Sequence, residues 1–431
     1  MSVLPEPAAT ATIGAPLVVR TVEIDDPGVP LLRLLPHVRD PRGVLSWVRR
    51  GEGLVGWGRA AVHHTSGPDR FADADEWWRE TAAHAVVRDE LGMPGTGPVC
   101  FASLPFADDS ADRASLIVPS VVVGHRGERW WVTTIGTGPG PTPELAAGSD
   151  PAAPQGVSFA DGALSSAEWE IRVAEAVERI TAGDLDKVVL ARDLLVQAAE
   201  PVDPRWVLRA LAERYDTTWV FSVDGMLGAT PELLVRRERG LVTSRVLAGT
   251  IRRTGDDGKD LSLAASLARS SKDLEEHEYA VRSVADALAP HCSSMNLPES
   301  PFVLHLANVM HLATDVTGVA ADSASSLALA AALHPSAAVG GTPTDRAVEV
   351  IAELEGMDRG RYAGPVGWLD ASGDGEWGIA LRSGCYLPGD REGRTLRIFA
   401  GCGIVAGSVP EAEVAEADAK FVPMRDALSG R

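Results

Sequence analysis

The spacing of apolar residues differs between the first third of the chain and the rest. From residue 17 to about 135, apolar runs such as "LVGWGRAAV", "SLIVPSVVVG" and "RWWVTTIG" are separated by turn residues. Short apolar runs bounded by turns are typical of strands. One helical stretch, near "ADEWWRETAAHAVV", interrupts them. This part of the chain is therefore predicted to be rich in β-strands.

After residue 164 the signals for helices become stronger. Ser165 and Glu168 form a capping-box pattern, and Gly183 supplies a stop signal. Between them, apolar residues recur at helical spacing on one stripe: Trp169, Val173, Val177 and Ile180. The sequence therefore predicts an amphipathic helix that packs against a core.

The remaining pattern mixes strands, hairpins and helices. "KVVLARDLLV", "TWVFSV" and "LVTSRVLAGT" predict strands, Asp224-Gly225 and "ASGDG" predict hairpin turns, and "DPRWVLRALAERY", "SSLALAAAL" and "TDRAVEVIAELE" predict helices. One long helix is predicted from about Lys259 to Leu288, and "PFVLHLANVM" and "EWGIALRSGCYL" each predict one strand. A last strand, "RTLRIFAGCGIV", precedes a closing helix, "PEAEVAEADAKFVPMRDAL". This order favours the α+β class with mostly antiparallel sheets over a doubly wound parallel sheet.

Composition divides the chain into four segments. Residues 1–16 are rich in Ala, Pro and Thr and are expected to be a disordered tail, and the Pro/Gly/Ala-rich stretch 136–163 is expected to be a surface connection. The strand-rich part, 17–135, and the part from 164 to 428 are expected to form one large domain. A chain of 431 residues with 45% hydrophobic content can build such a core.

The charge and the cysteines exclude several classes of protein. A formal net charge of −20 disfavours binding to nucleic acid or to an anionic membrane, since both require basic patches. An anionic substrate would need local cations to reverse this field. The four cysteines form no C-x-x-C pair, and neither a signal peptide nor an apolar run long enough for a membrane span is evident. We expect a soluble cytoplasmic protein.

Two acidic helices are candidates for a metal site. In "SKDLEEHEYAV", Glu275 and Glu278 share a helix face at i, i+3, and in "EAEVAEADAK" Glu413 and Glu416 have the same spacing. Each helix alone could be an ordinary solvated acidic face. Together, however, they could hold magnesium (Mg²⁺), which accepts one or two protein carboxylates and completes its coordination with water and substrate oxygens.

Two further residues could carry acid–base chemistry. Lys187 opens an apolar strand, where it is either a solvated lysine at a strand edge or a buried amine that acts as a base. Glu232 follows a Gly/Pro turn in "GATPELLV", where it is either a surface glutamate or a rigidly held acid. The stretches "LAGT" (247–250) and "AGCG" (400–403) predict small-residue turns after strands, whose N–H groups could bind an anion or could simply allow tight packing. Fingerprints of dinucleotide, phosphate-loop and serine-nucleophile sites are absent.

Eight ordered motifs connect the chain to a known family. They are "DKVVLAR", "GATPELLVRR", "VLAGTIRR", "SKDLEEHEYAV", "LHPSAAVGGTP", "RYAGPVGW", "GDGEWGIALRSG" and "IFAGCGIVAGSVPEAEVAEADAK". Together they resemble the chorismate-utilising enzymes, most closely the isochorismate synthases among them, strongly over residues 165–428. The resemblance implies one large α/β sandwich unit, in which two stacked, mostly antiparallel sheets are flanked by helices.

The resemblance also implies a substrate and a metal. The substrate would be chorismate, a cyclohexadiene with two carboxylates and a hydroxyl group, and the cofactor would be Mg²⁺. Glu276 and Glu416 match the family's metal carboxylates. Glu413 and Glu275 would contact these ligands or reach the metal through a water molecule. The metal would offset the repulsion between these acids and the negative field of the protein.

By the same resemblance, Lys187 is the base that deprotonates a water molecule, and Glu232 is the acid that protonates the hydroxyl leaving ring carbon 4. Members that use ammonia, such as the anthranilate synthases, generally lack a lysine at position 187. Aminodeoxychorismate synthases carry a different lysine, in a motif that reads "VLAGT" here, with Ala248 at the lysine position. Both positions favour water as the nucleophile and hence conversion of chorismate to isochorismate.

The other matched residues would contact the substrate. Those with implied roles in binding the substrate carboxylates or lining the pocket are Gly249, Thr250, His311, Tyr362, Arg382, Gly401 and Lys420. A salicylate synthase, an amine-transferring relative and a non-catalytic acidic metal-binding scaffold stay open as alternatives. Members of the family are often monomers, and the product could enter menaquinone or siderophore biosynthesis.

Overall fold

The computed structural model describes residues 16–305, 309–321, 323–390 and 392–430, without the side chains of Thr250, Lys272, Asp273 and Glu276. The predicted disordered tail lies outside the described residues, apart from residue 16. Within the described ranges the helices are α1 Arg70–Ala83, α2 Ser166–Thr181, α3 Pro204–Arg214, α4 Asp257–Leu267, α5 Ser271–Leu288, α6 Ser326–Ala332, α7 Thr344–Glu355 and α8 Pro410–Leu428.

The strands of the same ranges are β1 Val18–Ile24, β2 Val44–Arg49, β3 Glu52–Trp57, β4 Ala61–Thr65, β5 Val86–Asp89, β6 Val99–Ser103, β7 Ala114–Val118, β8 Val121–Arg126, β9 Arg129–Gly136, β10 Ser158–Asp161, β11 Lys187–Gln197, β12 Trp219–Val223, β13 Met226–Thr230, β14 Leu233–Glu238, β15 Leu241–Arg252, β16 Cys292–Asn296, β17 Phe302–His305, β18 Val309–Ala320, β19 Gly341–Thr342, β20 Pro365–Asp370, β21 Gly375–Ile379, β22 Ser383–Tyr386 and β23 Thr395–Ile404.

These strands form two sheets. The larger has 13 strands in the order β10-β11-β23-β22-β13-β12-β2-β3-β8-β9-β1-β5, with β19 added beside β11. The smaller has 10 strands in the order β16-β18-β15-β14-β21-β20-β6-β7-β4, with β17 added beside β18. Among the described strands, only β1 and β5 pair in parallel. The predicted α+β class with mostly antiparallel sheets is confirmed, and strands from both parts of the sequence share each sheet.

A layer of aromatic side chains joins the two sheets face to face. Trp47 on β2 and Trp219 on β12 both donate their indole N–H to Glu376 on β21, at 2.7 and 3.1 Å. Gly378 on β21 makes this close approach possible, since a Cβ there would lie 3.0 Å from the Trp47 ring. Burial of each such aromatic side chain contributes roughly 2 kcal/mol or more.

Helices cover the outer faces of the sheets. On the larger sheet, α3 and α8 bury apolar residues such as Val207, Leu211, Phe421 and Met424 against the strands. On the smaller sheet, α5 packs on β15 and β18, and the capping box that begins α2 is present as predicted. Across the described ranges, every helix is either too short or too polar to cross a membrane.

The predicted helix from Lys259 to Leu288 is wrong, because the structure has two helices there. After α4, the N–H groups of Arg269 and Ser270 donate to the carbonyls of Ser266 and Leu267, which tightens and ends the last turn. Serine hydroxyls compete for backbone hydrogen bonds, and the adjacent serines at 270 and 271 therefore favour a new helix start. The apolar spacing of the two helices is continuous, which concealed the break.

Two predicted single strands are also wrong, because each contains a reversal or a bend. "PFVLHLANVM" is a hairpin, since β17 pairs antiparallel with β18 from Phe302–Ala313 to His305–Met310. "EWGIALRSGCYL" supplies β21 to the smaller sheet and β22 to the larger one, with a bend at Arg382, whose φ is 49°. In both cases the apolar residues of two strands run together, so the pattern did not show where the chain turns. Within the predicted connection 136–163, β10 joins the edge of the larger sheet beside β11.

Candidate active site

The chain crosses between the sheets at two neighbouring places, and each crossing carries a charged side chain. Glu232 lies between β13 and β14, and Arg382 lies between β21 and β22. The N–H of Ala229 donates to the Arg382 carbonyl, and the N–H of Ile379 donates to the Glu232 carbonyl, both at 3.2 Å. The backbones of the two crossings therefore support each other and fix both side chains at the junction of the sheets.

A cavity of about 430 Å³ opens at this junction. Strands β11, β15, β18 and β23, helix α8 and the two crossings all contribute to its walls. Most of the residues that the resemblance implicates line it together: Lys187, Glu232, Gly249, His311, Tyr362, Arg382, Gly401, Glu413, Glu416 and Lys420. Residues separated by more than 200 positions in the sequence thus meet in one site.

Three predicted site residues are not placed at the cavity. The predictions for Glu276 and Thr250 fall on side chains that lie outside the described residues, so they stay predictions. Glu275 is exposed on α5 and is not part of the cavity wall. The buried face of α5 is marked by His277, whose Nε2 lies 2.7 Å from the Thr314 hydroxyl. Two residues correspond to about 200° around a helix, which turns Glu275 away from that face.

The two small-residue stretches lie inside strands, where turns had been expected. "LAGT" belongs to β15 and "AGCG" belongs to β23. The strand ladder shifts register around Gly249, whose φ of 74° favours glycine. A Cβ at Gly401 would lie 2.5 Å from the Leu190 carbonyl oxygen, and one at Gly403 would lie 3.0 Å from Lys187 Cε. The glycines therefore allow close strand contact and leave space for the lysine side chain.

Glu232 has the environment of a proton donor. It is 8% exposed, and among the described residues no group hydrogen-bonds to its carboxylate. Burial raises its pKa from 4.5 to about 7, although the nearby charges of Arg382, Lys187 and Lys420 act in the opposite direction. A carboxyl group with that pKa keeps a proton in much of the population at neutral pH and can give it up.

His311 and Tyr362 are two further buried groups in the lining of the cavity, and both are neutral. Burial lowers the pKa of His311 to about 3, and the positive charges of Arg382 and Lys420 add to this, so the imidazole is neutral at physiological pH. Burial raises the pKa of Tyr362 to about 12, and its ring stacks on Phe399 at 4.7 Å. The Tyr362 hydroxyl therefore keeps its proton and can donate a hydrogen bond.

The carboxylates on α8 offer oxygen ligands. Glu413 and Glu416 lie in one group with the Cys402 sulfur, with ligand atoms within 4.8 Å of one another. Burial raises the pKa of Glu413, with Ser408 opposing and Glu416 adding to the effect. Burial also raises the pKa of Cys402 to about 12, so its thiol keeps the proton. Two carboxylate oxygens beside a protonated thiol fit a hard cation such as Mg²⁺ better than a soft metal.

Cations reverse the overall negative charge inside the cavity. Arg382 and Lys420 both line it, and Lys420 Nζ is 2.6 Å from Glu416 Oε1 and 2.8 Å from the Gly401 carbonyl. Such a lining attracts a dianionic ligand that the whole protein would repel at long range.

Sequence reasoning missed one cation in this wall. Arg359 lines the cavity but is held by a buried pair, since its Nε donates to Glu355 at 2.9 Å and its other nitrogens donate to the carbonyls of Val189 and Val339. The i, i+4 spacing of Glu355 and Arg359 was the available signal. Arg359 therefore ties α7 to the strand that carries Lys187.

Comparison with protein families identifies the chain. A family model described as chorismate binding enzyme matches residues 15–137 and 145–429. The chain belongs to the chorismate binding enzyme family. The match includes the strand-rich N-terminal part, where the sequence motifs alone had shown little beyond strand character.

Individual relatives of this chorismate binding enzyme support the same family assignment. It is 33% identical over 415 residues to the isochorismate synthase MenF of Bacillus subtilis, covering 88% of this chain and 85% of that one. It is 41% identical over 273 residues to the isochorismate synthase DhbC of the same organism, covering 61% and 67%. The solved structure of MenF, the menaquinone-specific isochorismate synthase of Escherichia coli, superposes with a TM-score of 0.78 at 24% identity, covering 97% of this chain and 96% of that one. That structure shows the shared fold, and the family resemblance stated from the motifs is confirmed.

Proposed function

We propose that this chorismate binding enzyme is a Mg²⁺-dependent isochorismate synthase. The observation that carries the proposal is that Lys187 and the buried acid Glu232 line one cation-rich cavity. Ala248 lines the same cavity, at the position where, by the resemblance, aminodeoxychorismate synthases carry a lysine. The lining thus supplies an acid and a base for water chemistry. The isochorismate synthases among the relatives support the same reaction.

The reaction exchanges one carbon–oxygen bond for another. Lys187 takes a proton from a water molecule while the water oxygen bonds to ring carbon 2. The ring double bonds migrate, the bond from carbon 4 to its hydroxyl breaks, and Glu232 gives its proton to the departing oxygen, which leaves as water. Positioned acids and bases of this kind contribute about 10²- to 10⁴-fold each.

The remaining groups hold the substrate. Arg382 and Lys420 offer positive charge to the two carboxylates, and the Tyr362 hydroxyl offers a hydrogen bond. Glu413 and Glu416, together with Glu276 as the resemblance predicts, would hold Mg²⁺. When bound, the ion would offset the repulsion between a substrate carboxylate and these acidic side chains. Fixing the ring in this way brings carbon 2 and carbon 4 to the base and the acid.

Incubation with chorismate and Mg²⁺, followed by chromatographic separation of the products, tests the proposal. We expect isochorismate to form in the presence of Mg²⁺ and to disappear after chelation with EDTA. Salicylate with pyruvate would identify a salicylate synthase, and an aminated ring in the presence of ammonium would identify an amine-transferring enzyme. Absence of any product would leave a metal-binding scaffold and contradict the proposal.

A further inference from the structure

The proposed reaction leaves the enzyme in a different protonation state from the one in which it began. In each turnover Lys187 gains a proton and Glu232 loses one. The product is an isomer of the substrate, and one water molecule is consumed while another is released. Before the next turnover, Glu232 must regain a proton. In the proposed reaction the ring lies between the acid and the base, so a route that does not cross the ring would let Glu232 regain a proton while product is bound.

A second cavity, of about 280 Å³, borders the active-site cavity. Glu232 and Ala338 line both cavities. The other residues of the second cavity come from α5, β14, β15, the end of β21, the end of α6, the segment between α6 and α7, and the start of α7. Its volume is sufficient for several water molecules. Glu232 thus borders two cavities.

Polar groups extend from the surface into this second cavity. Ser283 on α5 and Asp345 on α7 are exposed at its mouth, whereas Ser244 on β15 is buried and donates to the Leu234 carbonyl at 2.7 Å. The Ser336 hydroxyl oxygen is buried and has no hydrogen-bond partner among the described residues. Because leaving a buried hydroxyl without a partner is unfavourable, a water molecule is the expected partner of Ser336.

The second cavity does not resemble another site for the substrate. Its cation Arg245 is neutralised by Asp315, with two contacts of 2.7 and 2.8 Å. The exposed Asp345 places negative charge at the mouth, which repels a dianion and attracts small cationic acids. Water and small proton carriers are therefore the species that this lining admits.

We propose that the second cavity is a water-filled path through which Glu232 regains its proton from solvent, with Ser336 and Ser283 as positioning residues along it. The inference rests on the proposed function, since it assumes that Glu232 donates a proton in each turnover. The second cavity would give protons an entrance of their own, separate from the entrance through which chorismate reaches the active site. Glu232 can then be reset while product still fills the active-site cavity.

The test compares the first turnover with later ones. Ser283→Phe narrows the mouth, Ser336→Ala removes the inner hydroxyl, and Ser262→Phe is the matched control, since Ser262 is an exposed helical serine outside both cavities. Isochorismate is measured with enzyme in excess over chorismate and then in the steady state, with and without imidazole as a small proton carrier. For both cavity variants we expect a first turnover within about twofold of wild type and later turnovers slowed up to about tenfold. Imidazole should restore the rate of Ser336→Ala, whose mouth stays open, but not that of Ser283→Phe, whose narrowed mouth excludes it.

Slow later turnovers in the cavity variants, relieved by imidazole in Ser336→Ala, would support the path. Wild-type steady-state rates in both cavity variants would overturn it, as would slowing of Ser336→Ala that imidazole does not relieve, or slowing of either variant that affects the first turnover equally. Failure of the proposed function itself looks different, because wild-type enzyme would then form no isochorismate even in the first turnover.

Discussion

Two walls of the active-site cavity differ in how they hold their charged groups. The strand wall consists of residues at strand starts and sheet crossings, namely Lys187, Glu232 and Arg382, and the helix wall consists of Glu413, Glu416 and Lys420 on α8. Glu232 is 8% exposed, whereas the Glu416 side chain is 41% exposed and pairs with Lys420 at 2.6 Å. In the proposed function, proton transfer belongs to the strand wall, whose acid is buried, and cation binding belongs to the more exposed carboxylate of the helix wall.

The largest expected effect comes from removing the base of the strand wall. Lys187→Ala should lower the rate of isochorismate formation about 10³-fold or more, because the proposed base is lost and Glu232, the other proton-transfer group on that wall, must hold its proton for the leaving hydroxyl. Product chromatography measures the loss, and a thermal melt checks that the fold is intact. Lys259→Ala, which changes an exposed lysine on α4, is the matched control and should keep wild-type activity. Retention of the wild-type rate by Lys187→Ala would refute the assignment of the base.

Removing the acid should have the next largest effect on rate. Glu232→Gln keeps the shape of the side chain but cannot give a proton to the leaving hydroxyl, so the turnover number should fall roughly 10²-fold. In wild type, the turnover number should also fall as the pH rises through about 7, because Glu232 then loses its proton. The variant should lack this inflection in its pH–rate profile. Glu128→Gln, at an exposed position, serves as the control, and a rate for Glu232→Gln within a few-fold of wild type would exclude the acid role.

The same substitution should reveal what the buried acid costs the fold. The unfolded chain releases the Glu232 proton near pH 4.5 and the folded protein near pH 7, so wild-type stability is complete below 4.5 and decreases towards 7. Relative to wild type, Glu232→Gln should gain up to about 3 kcal/mol in free energy of unfolding at pH 8 and nothing at pH 4. Denaturant melts at the two pH values measure this difference. An equal change at both values would show that the raised pKa does not act on stability.

The helix wall was easier to predict from the sequence than the strand wall. The i, i+3 spacing of Glu413 and Glu416 places both on one helix face, and a helix preserves that relation wherever it packs. Local spacing gave no comparable information on Glu232 and Arg382, because their meeting depends on two crossings between sheets. The ordered family motifs did implicate both residues. The bend at Arg382 is set by long-range strand pairing, which the apolar pattern does not record. The division between β17 and β18 is hidden for a local reason, because the apolar residues of the two strands run together.

A substitution on the helix wall should weaken cation binding rather than proton transfer. Glu416→Gln removes one carboxylate charge from the proposed Mg²⁺ site, so the Mg²⁺ concentration for half-maximal activity should rise about tenfold or more. At saturating Mg²⁺, the rate should recover most of its wild-type value. Titration calorimetry with Mg²⁺ provides a reading independent of turnover, and Glu411→Gln at an exposed position of α8 is the control. An unchanged Mg²⁺ titration would show that Glu416 is not a ligand of the ion, and it would contradict the assignment of cation binding to the helix wall.

The smallest effect is expected at Cys402, which lies beside both helix-wall carboxylates without sharing their role. Its sulfur lies within 4.8 Å of their ligand atoms, and it donates to the Glu413 carbonyl at 3.3 Å. Since burial raises its pKa to about 12, the thiol stays protonated and is a poor ligand for a hard cation. Cys402→Ala should therefore change the turnover number and the Mg²⁺ titration by less than about twofold, which is a small effect for a site residue. A loss of Mg²⁺ affinity as large as that of Glu416→Gln would instead make the sulfur a ligand, and the helix wall would then be a mixed site suited to softer metals.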